Sequence, residues 1–317
     1  MNNPLISVCI TASYTAKYLE AALRLVGGQT YTKWELLVVD DGSNGRNAAA
    51  VQDFAFTVPQ RVTCLPKSNQ ALPVMRNAGT AEAAGEWVAY LHGDDLWKPD
   101  HLASLVSASQ IEDSDLVFAG AVLYDDATWT KLGLRTPKEG DLADLPAALY
   151  AARLSILASA VMARKDSLHK FGPFAKEFLH CSDTEYWLRV LSRDGHLCYS
   201  GNDTCIYRQT AAPDPEQTAA ALTESAQICE RYATWKAIPR SLARARPARL
   251  YRWAGRTLIQ ENPAAALALL SRALRLQPLN LKTLGLWLRV FLKKSRIGAQ
   301  TQRSNLPGYN TEIHHRP

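Results

Sequence analysis

The chain reads as an α/β protein, a mostly parallel sheet flanked by helices, followed by a small all-α region. Three observations carry that reading. Apolar runs of strand length occupy residues 7–11, 36–39 and 87–91. Between the first two, residues 17–27 place Tyr18, Leu19, Ala22, Leu23 and Val26 at helical spacing, and strand, helix, strand in that order implies parallel pairing. From residue 231 onward the sequence turns basic and helical in period.

Each element has its own signal. The first strand run ends at Thr11, the second closes on Asp40-Asp41-Gly42-Ser43, and the third stops at His92-Gly93-Asp94-Asp95, with Pro99-Asp100 just beyond. In open α/β sheets ligands gather at the carboxyl ends of strands, so Thr11, Asp40 and Asp94 are expected to border one crevice. Paired acids at a strand end suit Mg2+ or Mn2+, which take oxygen ligands from one or two carboxylates plus substrate phosphates. A turn in which Asp94 or Asp95 caps the next helix is the competing reading. Tyr186, Trp187, Val190 and Leu191 share a helical face, which puts Asp183 and Glu185 in that helix's first turn.

Beyond the sheet region, residues 249–276 read as two helices broken at Asn262-Pro263, with Leu250, Trp253, Ala254 and Leu258 on the first and Ala266, Leu269, Leu270, Ala273 and Leu274 on the second. Pro263 at a helix start and Pro278 after its end mark the limits. The pair is similar to a single tetratricopeptide-type hairpin, and since such arrays need about three units to stand alone, it should pack on something else. Residues 281–294 mix Leu284, Leu286, Trp287, Leu288, Val290, Phe291 and Leu292 with Lys282, Arg289, Lys293 and Lys294. Such a helix can lie in a bilayer interface; a terminal helix packed on the hairpin is the competing reading. From Ser295 the polar composition predicts a loose tail, with His314-His315 in it as terminal decoration.

At 317 residues, 47% of them hydrophobic, the chain has room for two units with a sizeable core. The opening Met-Asn-Asn-Pro lacks the charged and apolar segments of a secretory signal, and no apolar run approaches the ~18 residues of a membrane span. Six cysteines, at 9, 64, 181, 198, 205 and 229, show no metal-ligand spacing and read as reduced cytosolic thiols. Charge is bipolar: residues 231–317 hold 17 basic and two acidic side chains, for +15, whereas residues 1–230 hold 19 and 28, for −9. The basic part points to an anionic surface, lipid in preference to nucleic acid, for which no binding motif is present.

Eight segments in order resemble the family 2 glycosyltransferases of GT-A (Rossmann-like) fold: residues 7–10; Gln29-Thr30-Tyr31 with Trp34-Glu35-Leu36; residues 39–43; Arg76-Asn77-Ala78-Gly79; residues 85–91; Asp94-Asp95 with Pro99-Asp100; residues 171–174; and Asp183-Thr184-Glu185-Tyr186-Trp187-Leu188-Arg189. The likeness covers residues 4–210. It implies an inverting, metal-dependent hexosyltransferase that uses a nucleotide sugar, with UDP expected and Mn2+ or Mg2+ as cofactor. The acceptor would be a glycan or lipid-linked hydroxyl in cell-surface polysaccharide or lipopolysaccharide synthesis. By the same resemblance Asp40, Asp41 and Thr11 hold the base, Arg76 the nucleotide or diphosphate, Asp94 the ribose, Asp95 the metal, and Asp183 is the general base with Glu185 its rival.

Three departures from the family pattern stand out: Thr11-Ala12-Ser13-Tyr14 where Pro-Thr-Tyr-Asn is common, His92 in place of an Asp, and Gln209-Thr210 after Tyr207-Arg208 where relatives place a His. The first two give some support to the alternative, a non-catalytic GT-A nucleotide-binding scaffold. The expected layout is a transferase domain at 1–215, a helical region at 216–296 and a tail at 297–317. The chain is expected to be cytoplasmic, meeting the inner membrane face through the basic helix, and the acceptor is expected against a less regular region at 113–158.

Overall fold

The computed structural model describes residues 3–12, 16–42, 45–68, 70–209 and 214–304. Ser13, Tyr14, Ser43, Thr210 and His314-His315, singled out above, lie outside the described residues. The strands are β1 (Ile6–Ala12), β2 (Trp34–Asp40), β3 (Val62–Pro66), β4 (Trp87–His92), β5 (Leu96–Trp97), β6 (Leu116–Asp125), β7 (Lys131–Arg135), β8 (Val161–Arg164) and β9 (Leu197–Gln209). The helices are α1 (Ala16–Gly27), α2 (Asn47–Ala55), α3 (Leu72–Glu82), α4 (His101–Ile111), α5 (Glu139–Leu142), α6 (Leu145–Ala151), α7 (Lys165–Phe171), α8 (Ser182–Ser192), α9 (Pro215–Arg231), α10 (Arg240–Thr257), α11 (Pro263–Leu276) and α12 (Leu281–Ser304).

One sheet runs β3-β2-β1-β4-β8-β6-β9-β5, with β7 pairing the stretch of β6 beyond its contact with β8. The long pairings, β1 with β2 and β4, β2 with β3, and β6 with β9, are parallel; the short ones made by β5, β7 and β8 are antiparallel. This is the expected α/β architecture of GT-A type. β1 and β2 are buried along their whole length, which is why they read as continuous apolar runs and not as alternation. Helix α1 buries Leu19, Ala22, Leu23 and Val26 against this sheet, but Tyr18 leaves the apolar stripe and gives its hydroxyl to Asp126. On the opposite side α3 approaches β1 so closely that a Cβ at Gly79 would stand 2.2 Å from Cys9 Sγ. Only glycine fits there, and the contact fixes the helix that carries Arg76.

The region 113–158 is more regular than expected. It contains β6, which crosses the sheet's interior, the β6–β7 hairpin, α5 and α6, and Asp144 caps α6 by accepting from Ala147 N at 3.2 Å.

The Cα framework divides into two compact units, residues 1–212 with 231–243 and residues 213–230 with 244–317. In the second, Ala219, Ala254, Leu258, Ala266, Leu270 and Val290 form a small core. Asn262 caps α11 by accepting from Ala265 N at 3.0 Å, with Pro263 in the first turn, as the sequence predicts. Trp253 is exposed, not buried on the hairpin, because Ala254 and Leu258 occupy the inner face of α10. Trp287 donates to Ser271 Oγ at 2.8 Å and Val290 is buried, so one face of α12 packs on α11, and the helix continues past Ser295 to Ser304. Among the described residues, no helix is long and apolar enough to cross a membrane.

Candidate active site

The parallel register brings three strand ends together. Ala12 pairs with Asp40 and Thr11 with His92, so β1 ends between β2 and β4. Asp41 N donates to Ala12 O at 3.1 Å and Gly93 N to Thr11 O at 2.9 Å, which ties both acidic turns to the central strand. Asp40 is buried, and its Oδ1 accepts from Asn47 Nδ2 at 2.9 Å and Gly42 N at 3.2 Å. Gly42 sits at φ +72°, the left-handed region, so the turn after the acids needs a residue without a Cβ. Asp41 is half-buried beside it, and Thr11 is buried. A carboxylate fixed in this way can accept from a planar N–H donor of a bound ligand.

Asp94 and Asp95 do not cap a helix, since α4 begins after Asp100, five residues beyond Asp95. Asp95 is buried; its Oδ2 accepts from Ser159 Oγ at 2.5 Å and its Oδ1 from Arg208 N at 3.3 Å. Ser159 Oγ also accepts from His92 N at 3.0 Å, so one hydroxyl braces the strand end and the acid together. Burial pushes the Asp95 carboxyl upward, opposed first by His92 and by the Ser159 bond. Asp94 is half-exposed, with Oδ2 3.7 Å from His92 Nδ1. His92 therefore replaces the family's acid with a ring that faces Asp94.

A divalent cation fits this donor set only in part. A carboxylate has about four lone-pair sites and Asp95 uses two, leaving capacity alongside Asp94 and the imidazole. Among the described residues no three ligating side chains cluster, so the remaining oxygens would come from substrate and water, the usual arrangement for Mg2+.

Arg76 lies in α3, buried, with Nη1 3.5 Å from Ser182 Oγ and its guanidinium 5.5 Å from the centre of the Phe174 ring. Asn77 holds the 171–174 segment through a reciprocal pair, Nδ2 to Phe174 O and Phe174 N to Oδ1, both 2.9 Å. Arg189 adds bonds to Phe171 O and Pro173 O at 3.0 and 2.8 Å, so three of the sequence motifs interlock. Among the described residues Arg76 makes no direct ion pair, yet it feels the charges of Asp183 and Asp95. Burial lowers the Arg76 pKa and raises that of Asp183, and the attraction between them opposes both shifts.

Asp183 is half-buried in the first turn of α8, and Thr184 N donates to its Oδ1 at 2.7 Å. Its rival is differently placed. Glu185 is 1% exposed; Oε2 accepts from Arg189 at 2.8 Å, and Oε1 accepts from Tyr232 OH at 2.8 Å and Arg231 at 3.2 Å. Both of its oxygens are engaged in holding the protein together.

The sequence assigned no role to Ser159, Tyr207 or Asp126. Tyr207 is half-buried on β9, its pKa raised mainly by burial, with the charges of Asp95, Asp183 and Asp94 all acting on it. Its only signal was its place in a family motif. Ser159, on a 3-10 turn leading into an antiparallel strand, gave none.

The family model described as glycosyl transferase family 2 matches residues 7–165. An uncharacterized glycosyltransferase of Nostoc sp. is 36% identical over 108 residues, 34% of this chain and 34% of that protein. The putative teichuronic acid biosynthesis glycosyltransferase TuaG of Bacillus subtilis is 36% identical over 100 residues, 31% of this chain and 39% of that one. The chain thus spans little more than a third of the length of these relatives. Among solved structures, S. aureus TarS 1-349 in complex with UDP-GlcNAc aligns at TM-score 0.59 and 14% identity, over 86% of this chain and 81% of that one. Mannosyltransferase PcManGT from Pyrobaculum calidifontis, in complex with GDP-Man and Mn2+, aligns at TM-score 0.56 and 18% identity, over 90% and 79%. At those identities the likeness is one of fold.

Proposed function

The chain belongs to glycosyl transferase family 2, and on that footing we propose that it is an inverting, metal-dependent hexosyltransferase of bacterial surface-glycan synthesis. The donor is a nucleotide-diphosphate sugar, with UDP preferred, and the acceptor a hydroxyl of a glycan or lipid-linked glycan. One observation carries this reading: a buried guanidinium, Arg76, feels two carboxylates from separate elements, Asp183 in the first turn of α8 and Asp95 just beyond the carboxyl end of β4. A cation so placed suits the diphosphate, with one acid to handle the metal and the other the acceptor proton. The nucleotide sugars named with TarS and PcManGT, and the Mn2+ with the latter, are consistent with it.

In this reading Asp40, flanked by Asp41 and Thr11, accepts from the base's imide N–H, and Asp94 accepts from ribose hydroxyls. Asp95 holds the divalent cation with Asp94 and His92 beside it; when bound, such an ion supplies Lewis-acid stabilisation of charge on the leaving diphosphate. Asp183 removes the proton from the acceptor hydroxyl as that oxygen bonds to the anomeric carbon and the bond to the diphosphate oxygen breaks. Attack and departure on opposite faces invert the centre. Arg76 donates to the diphosphate throughout.

The exposed face of α12 supports a peripheral contact with anionic lipid. Leu281, Leu284, Leu288, Phe291 and Leu292 are exposed along it, with Lys282 and Arg289 alongside. This is the composition of a helix that lies in an interface.

The test of turnover is release of nucleotide diphosphate from a panel of nucleotide sugars, with Mn2+ and with EDTA. Asp95→Asn and EDTA should each remove most activity, since the ion contributes several kcal/mol at the transition state. Full activity in EDTA overturns the metal assignment, and binding without turnover of any donor returns the chain to a scaffold role.

A further inference from the structure

Arg208 follows Tyr207 on β9, and its surroundings go beyond what an arginine on a strand requires. Its Nε donates to Asp94 O at 3.0 Å while its backbone amide donates to Asp95 Oδ1 at 3.3 Å. One residue thus grips the peptide and the side chain of the paired acids. Its Nη1 donates to Asp126 Oδ1 at 2.8 Å, and the other oxygen of Asp126 accepts from Tyr18 OH at 2.5 Å. The guanidinium lies against two rings, 4.5 Å from the centre of Tyr18 and 5.1 Å from that of Trp129. Two rings and a carboxylate together restrict where this side chain can go.

The turn that supplies Trp129 is itself held under strain. Trp129 adopts φ +53°, a left-handed region that strains a bulky residue, and stacks on Tyr124 with centres 5.1 Å apart. Charge balance is the other half. An uncompensated guanidinium bonded to the Asp94 carbonyl would repel a divalent cation at the adjacent carboxylate, and Asp126 cancels that charge where it would do most harm.

We propose that Arg208 is a positioning residue for the divalent-cation site, and that the β6–β7 turn, through Trp129 and Asp126, sets how well Asp94 and Asp95 receive the ion. Arg208 acts through the acids and not on the substrate. The proposal rests on the metal-dependent reading above.

The experiment measures Mn2+ binding by electron paramagnetic resonance, and UDP binding by calorimetry with and without Mn2+, in the full chain. Arg208→Lys keeps the charge but cannot serve the Asp94 carbonyl and Asp126 together, and should weaken Mn2+ about 10–100-fold, the usual effect of disturbing a group that orients a metal ligand. Asp126→Asn should weaken it in the same direction. Trp129→Ala should do so by a smaller factor and Trp129→Phe should restore it, and because that residue lies on an exposed turn the pair keeps its fold. Metal-free UDP binding should be unchanged in all four. If Arg208→Lys and Trp129→Ala bind Mn2+ like the wild type, or lose UDP binding equally without metal, the proposal fails while the metal reading stands. A wild-type chain whose UDP binding ignores Mn2+ overturns both.

Discussion

Two acids two residues apart, Asp183 and Glu185, show how much a side chain's partners decide its use. Both oxygens of Glu185 are already accepting, from two guanidinium groups and a phenol. Asp183 has one backbone donor and the field of Arg76. Asp183→Asn should therefore leave nucleotide binding intact and cut kcat about 10²–10⁴-fold. Glu185→Gln should instead lower the urea midpoint by about 3 kcal/mol of stability with kcat kept in the folded fraction. The reverse assignment of the two phenotypes would move the base to Glu185. Burial raises the Asp183 carboxyl, and a base acts deprotonated, so in the proposed role kcat/KM should fall on acidification with an inflection above that of a solvated Asp. The acids at the strand ends were legible in the sequence because an apolar run stops at them. Ser159, Asp126 and the true duty of Glu185 were not, because each depends on a partner at least 46 residues away.

At the scale of elements, the N-terminus of α4 carries a consequence for acid stability. His101 is buried, stacked on Trp97 at 4.4 Å, with Nδ1 2.7 Å from Thr204 Oγ1 and no partner for Nε2 among the described residues. Burial lowers its pKa to about 3, against 6.5 unfolded. The unfolded chain then binds a proton that the folded one refuses, so stability falls as pH drops from 6.5 toward 3, by at most about 1.4 kcal/mol per pH unit. The urea midpoint of the wild type should drop more between pH 7.5 and pH 5 than that of His101→Gln; equal drops would remove His101 from the balance. Helix α1 was readable from its apolar period, and the period also misplaced Tyr18. Periodicity assigns a face, whereas the phenol went to a half-buried carboxylate, Asp126, 108 residues on. Strand β7 escaped notice for a related reason: it is an exposed strand with no alternation to detect.

For the whole molecule, the sequence showed a bipolar chain and the structure shows where its basic part offers apolar area. Leu284→Glu with Leu288→Glu, both on exposed positions of α12, should abolish cosedimentation with anionic vesicles and spare nucleotide-diphosphate release. Wild-type binding should weaken with salt, since attraction beyond about 8 Å is screened at 0.15 M. Equal sedimentation with neutral and anionic vesicles would assign the exposed leucines to another role. Cutting the chain after Asn280 is a poorer test, because it would also strip Val290 and Trp287 from the core they share with α11.

The clasp on Asp94 and Asp95 also dates the site within folding. Arg208 reaches Asp94 across 114 residues and Arg76 reaches Ser182 across 106. Closing loops of that length costs chain entropy before any contact returns it, so β1, β2 and β4, neighbours in the sheet and all within the first 92 residues, can pair early while β9 arrives late. A chain emerging from the ribosome would show the acids at their strand ends long before Arg208 gathers them. Until β9 docks it has a scaffold for a site and no site.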